Sequence, residues 1–173
     1  MKKALILGIV LSALLAGCGE REKTAAKAPG AKPLGDAAAG KAIAERDCKT
    51  CHGLDGRGVA PGIPHLAAQR ERYLFLALTE YLEVRRTHAA LRELVKRLTE
   101  AELRNVIAYY SSLPPVAAAT EKDARQVTLL EQGKALAGAC IKCHGEEGNS
   151  TTPGIPSLAG QQHVVRIPDL QIF

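Results

Sequence analysis

The chain has 173 residues and a mass of 18.4 kDa, room for one ordinary domain or two small ones and too little for a large multidomain enzyme. Hydrophobic residues make up 46%, but alanine supplies much of that share and aromatics only 3%, with no tryptophan, so a core of side chains alone is short of bulk. The formal charge of +5 includes no dense basic cluster, which argues against a nucleic-acid surface.

At the N-terminus, Lys2 and Lys3 precede an uncharged run from Ala4 to Gly17, shorter than the ~20 residues a membrane-spanning helix needs. Residues 1–17 therefore read as an export signal. The run ends in Leu15-Ala16-Gly17-Cys18, which resembles a bacterial lipobox, where the cysteine becomes the lipidated first residue of the mature protein. Cys18 is the one cysteine without a nearby partner, and residues 18–35 have the Ala, Lys, Pro and Gly content of a flexible tether. By the sorting logic of such lipoproteins, Gly19 in place of aspartate points to the outer membrane. An ordinary secretory signal that happens to contain a cysteine would instead leave the chain free in the periplasm. Loss of Lys2 and Lys3 lowers the net charge from 5 to 5 − 2 = +3.

Residues 37–47 suit a short helix running into Cys48-x-x-Cys51-His52. Residues 53–66 read as loop, because Gly53, Gly56, Gly58, Pro61, Gly62 and Pro64 break regular structure. The spacing predicts a helix over 70–86 with Tyr73, Leu74, Ala77, Leu78, Tyr81 and Leu82 on one face. His88 to Leu94 is helix-forming. Thr99 and Glu102 form a capping-box pattern opening a last helix that turns Leu103, Val106, Ile107 and Tyr110 inward. Pro114-Pro115 then begins a joint, with a linker over 116–130.

Beyond the joint the first unit is written again. Gly133-Lys134-Ala135-Leu136-Ala137 leads to Cys140-x-x-Cys143-His144-Gly145 and to Pro153-Gly154-Ile155-Pro156-Ser157-Leu158-Ala159-Gly160-Gln161, matching residues 40–44, 48–53 and 61–69. From the cysteines onward the offset is constant at 140 − 48 = 92. The first unit spans 36–115 and the second 131–173. Matching stops after Gln161, so the second unit reads as truncated.

The chemistry lies in the cysteine pairs. Each C-x-x-C-H can attach c-type haem: two thiols about one helical turn apart reach two vinyl groups of one porphyrin, and the next histidine meets the iron. Two haems are expected, on Cys48, Cys51 and His52 and on Cys140, Cys143 and His144, with His52 and His144 as proximal iron ligands. The porphyrin supplies the missing apolar bulk, and the apo-chain is expected to be largely unfolded. A zinc ribbon sets its cysteine pairs about 15 to 20 residues apart, whereas Cys51 and Cys140 are 140 − 51 = 89 positions apart. A redox dithiol or a structural disulfide does not explain the histidine after both pairs. Asp47, Asp55, Glu45, Glu146 and Glu147 read as solvated acids in a helix end and loops, and no catalytic residue is expected.

These motifs, with Gly-Ile-Pro-x-Leu-Ala-x-Gln, Tyr73-Leu74 and the closing Ala-Tyr-Tyr-Ser-Ser, resemble the class I c-type cytochromes, particularly the two-domain, di-haem periplasmic carriers. The resemblance implies an all-α fold: one complete cytochrome c domain followed by a partial second copy. It implies single-electron transfer with periplasmic or membrane redox proteins as partners. It also implies that a carbonyl near Ile63-Pro64 orients His52, and one near Ile155-Pro156 orients His144. The chain departs from the family at the distal ligand. Its single methionine is Met1, and the position expected for the distal methionine falls near Leu91. His88 is the candidate substitute, against the alternative of a solvent-exposed helix residue; His65 and His163 are weaker candidates. Two other readings remain beside electron transfer: an open iron site that binds NO, CO, oxygen or peroxide, and a non-functional truncated remnant.

Overall fold

A computed structural model describes residues 33–117 and 124–162; the readings on Lys2, Lys3, Cys18 and His163 fall outside the described residues. Every regular element among them is helical: α1 (Ala37–Ile43), a π-helical turn (Ala44–Cys48), α2 (Lys49–His52), α3 (Glu71–Leu82), α4 (Ala89–Lys96), α5 (Glu100–Ser112), α6 (Ala124–Leu136), a 3-10 turn (Ala137–Ala139) and α7 (Ile141–His144). None of these helices is long and apolar enough to cross a membrane.

α1 starts where Asp36 accepts from the amides of Ala38 and Ala39, at 2.8 and 3.3 Å, filling the first orphan donors of the helix. The Asp36 amide itself donates to Asn105 Oδ1 at 2.8 Å, so the cap also ties α1 to α5. The two helices approach closely at Gly40, where a Cβ would meet the Asn105 carbonyl oxygen at 2.0 Å. At α5 the capping box is complete: Thr99 Oγ1 accepts from the Glu102 amide, and the Glu102 carboxylate accepts from the Thr99 amide.

The core of the first unit joins α1, α3, α4 and α5 through Ile43, Leu74, Val95, Leu103, Val106, Ile107 and Tyr110. The expected inward face of α5 is therefore buried. The expected α3 helix is shorter than 70–86. It ends at Leu82, Val84 takes a left-handed φ of 62°, and Leu82 faces out at 37% exposure because the chain has already turned away.

The second unit repeats the first unit's loop closures. Gly56 O accepts from the amides of Leu66 and Ala67, and Gly148 O from those of Leu158 and Ala159. Residues 124–130 are part of α6, so helix occupies part of the expected linker. The two units bind each other by exchange. Gln69 Oε1 accepts from the Ser157 amide at 2.8 Å and its Nε2 donates to Ser157 O at 3.0 Å. Gln161 Oε1 accepts from the His65 amide at 3.0 Å and its Nε2 donates to His65 O at 2.6 Å. Since 69 + 92 = 161 and 65 + 92 = 157, the same pair of repeat positions is used twice with the roles swapped.

Candidate haem site

Cys48, Cys51 and His52 open onto a cavity of about 480 Å³ whose other walls come from α3, α4, α5 and the 156–162 segment of the second unit. Most of the wall is hydrocarbon, from Leu74, Ala77, Leu78, Leu91, Leu94 and Val106. The π-helical turn and α2 bring the three motif side chains into one short helical run. The run ends at Gly53, whose left-handed φ of +65° favours glycine. Gly145 repeats this after His144 with φ +83°. Tyr110 Oη donates to Gly53 O at 3.0 Å and Tyr109 Oη to Leu54 O at 2.8 Å, so α5 clamps the backbone just past the motif. The phenol contacts were not legible in the sequence, which marks Tyr110 only as an inward residue of α5.

His52 holds the tautomer that a ligand would need. Its Nδ1 lies 3.0 Å from Pro64 O, and a carbonyl oxygen can only accept, so Nδ1 carries the proton and Nε2 keeps its lone pair. Burial holds its pKa below the ordinary imidazole value, outweighing the Pro64 hydrogen bond, and favours the neutral, ligating form. His144 Nδ1 lies 2.9 Å from Pro156 O in the same arrangement. These are the two carbonyls named by the resemblance.

The sulfurs fit thioether chemistry. Cys48, Cys51, Cys140 and Cys143 are all unpaired thiols in the structure. Burial pushes the Cys48 thiol up to about 11. A large apolar cavity, two thiols and a correctly protonated imidazole together fit a covalently held haem. At the second motif, Cys140 and Cys143 are exposed and His144 half-buried.

The remaining histidines have other engagements. His65 Nδ1 accepts from the Gly58 amide at 2.9 Å within the loop that carries Pro64. His88 lines the cavity but is the N-cap of α4: its Nδ1 accepts from the Leu91 amide at 3.2 Å, and its ring meets Tyr81 edge-on at 6.3 Å. Leu91 contributes hydrocarbon to the wall.

An all-helical frame closing an apolar cavity over C-x-x-C-H, with the histidine held by a loop proline carbonyl, defines a class I c-type cytochrome. The family model "Cytochrome c" matches residues 37–114. Cytochrome c4 of Pseudomonas aeruginosa is 36% identical over 136 residues, covering 76% of this chain and 67% of that protein. The crystal structure of reduced recombinant cytochrome c4 from Pseudomonas stutzeri superposes with a TM-score of 0.69 at 29% identity, covering 79% of each chain. A protein named thiosulfate dehydrogenase electron acceptor, from Thiomonas intermedia, is 32% identical over 122 residues, covering 66% of this chain and 56% of that protein. The chain belongs to the cytochrome c family: it is an electron-carrying c-type cytochrome whose cofactor is haem c.

Proposed function

We propose that the mature chain is a lipid-anchored periplasmic carrier of single electrons with two haem groups, one in each unit. The observation that carries the reading is the twin arrangement of His52 on Pro64 O and His144 on Pro156 O, each directly after a cysteine pair. Haem c, when bound, supplies a one-electron couple at its iron. The rest is the work of the chain. Cys48 and Cys51 hold the first group, Cys140 and Cys143 the second, and His52 and His144 each offer Nε2. The Pro64 carbonyl fixes the ring and tautomer of His52, which raises its basicity as a ligand. The leucines of α3 and α4 exclude water from the first site, and a dry site needs little solvent rearrangement when charge changes. In this reading residues 1–17 are the signal, Cys18 the lipidated residue, 18–35 the tether, 36–115 and 131–173 the two haem units and 116–130 the linker. Partners are redox proteins of the periplasm or membrane; the name of the Thiomonas relative supports a dehydrogenase as one electron donor.

Expression with a cytochrome-maturation system tests this. Intact mass should show two attached haems, and the Cys140→Ser/Cys143→Ser chain should carry one. The visible spectrum should switch reversibly between oxidised and reduced forms without substrate. Cys18→Ser should move the protein from the membrane to the soluble periplasmic fraction. Colourless protein from the matured culture would end the reading, and an unchanged distribution of Cys18→Ser would remove the lipid.

A further inference from the structure

We propose that the iron held by His52 receives no second ligand from the described residues, and that the first unit binds a small neutral ligand of the carbon monoxide or nitric oxide class at that open position. This rests on reading Cys48, Cys51 and His52 as the haem-attachment residues.

The sequence has one methionine, Met1, at the far end of the signal segment. Among the described residues, no lysine lines the cavity. Beyond the attachment residues, the described lining side chains with a nitrogen or oxygen suited to iron are Asp47, His65, Tyr73, Tyr81, His88 and Tyr110. Asp47 adjoins Cys48 in the attachment run and is paired with Arg46. His65 belongs to the same loop as Pro64, beside the carbonyl that holds His52, and its Nδ1 is taken by the Gly58 amide. Tyr110 donates to Gly53 O next to the motif. The Tyr73 ring lies 5.8 Å under the Arg86 guanidinium, which is itself paired with Glu80, and the Tyr81 ring meets His88 edge-on; either phenol would bind iron only after losing its proton.

His88 is the remaining nitrogen, and its tautomer disqualifies it. The Leu91 amide can only donate, so His88 Nδ1 bears the lone pair, and in the neutral ring the proton then sits on Nε2. His52 has the reverse arrangement, with Nδ1–H on Pro64 O and Nε2 free. His52 and His88 are thus set in opposite tautomers within one cavity, one as a ligand and one as a helix cap. Ligation through His88 Nε2 would require giving up the cap of α4.

What α3 and α4 otherwise present is hydrocarbon: Leu74, Ala77, Leu78, Leu91 and Leu94. Such a wall strips water from an entering ligand without replacing its hydrogen bonds, which penalises anions and spares neutral diatomic molecules. The occupant that fits is therefore uncharged and about two atoms long.

Carbon monoxide is the probe. The full-length Cys140→Ser/Cys143→Ser chain is matured, its single attached haem confirmed by mass, and the reduced protein titrated with CO. The expected results are a high-spin ferric EPR signal, a Soret shift on CO addition saturating at one CO per haem, and an unchanged spin state in His88→Ala. A low-spin ferric signal with no response to CO overturns the proposal. So does a low-spin haem that turns high-spin in His88→Ala, because His88 is then the ligand. Protein with no attached haem would instead sink the attachment reading, so the two failures are distinguishable.

Discussion

Tyr110 joins the core to the site through one atom. Its ring is 2% exposed, and its hydroxyl holds the backbone of Gly53, the residue directly after His52. Burial pushes the phenol well above the ordinary tyrosine range. A raised folded pKa means the stabilisation is complete below about pH 10, the unfolded tyrosine value, and is lost as pH rises further. Tyr110→Phe should cost about 1–2 kcal/mol at neutral pH by leaving Gly53 O without its donor, and should flatten the loss of stability on the alkaline side. Denaturant melts of the holoprotein across that pH range check both, and a wild-type profile in the variant would contradict the assignment. The histidines held by the Pro64 and Pro156 carbonyls stood out in the sequence because C-x-x-C-H is a local chemical pattern. That His88 caps α4 was not, since one ring nitrogen accepting one amide leaves no trace in composition or spacing.

At the scale of elements, α1 and α6 are the same sequence pattern in two settings. Gly40 lies against α5 with no space for a methyl group, and Ile43 is 6% exposed. Their counterparts differ: a Cβ on Gly133 would meet nothing within 4 Å among the described residues, and Leu136 is 81% exposed. Gly40→Ala should therefore lower stability by about 1–3 kcal/mol or more, because the methyl group must push α1 off α5. Gly133→Ala should be neutral or stabilise by up to about 1 kcal/mol through helix propensity alone. Thermal melts of the two variants test the contrast, and equal effects would contradict it. The helices themselves were readable from periodicity and the Thr99–Glu102 capping box, because both are local signals. The crossing of α1 with α5 was not, because within one helix Gly40 looks only like a poor helix former; its value appears when Asn105 arrives from 65 residues away (105 − 40).

For the whole molecule, the deciding contacts are the exchanged amides of Gln69 and Gln161. Each side chain satisfies both backbone groups of one residue in the other unit, and Gln69 is only 5% exposed. Removing either leaves two backbone groups unpaired at a part-buried interface, each such group costing about 1–3 kcal/mol. Gln69→Ala and Gln161→Ala should each speed amide exchange at Ser157 and His65 respectively. The double variant should make residues 124–162 susceptible to protease while the first unit keeps its haem spectrum. Unaltered exchange at both amides would mean that the clasp does not hold the units together.

By itself the sequence determined the class of the molecule. The duplicated attachment motif, the glycine- and proline-rich loops, the helical periodicity and the shortage of aromatic bulk are local or compositional, and together they led to a helical haem protein built from two units. Tertiary structure alone decided three further matters. It set the opposite tautomers of His52 and His88, the dry face that Leu91 completes, and the pairing of Gln69 with Ser157 and of Gln161 with His65. Each depends on a hydrogen bond or an approach whose partner is chosen by packing. Linear order can state which groups are present, while only folding states which group each one faces.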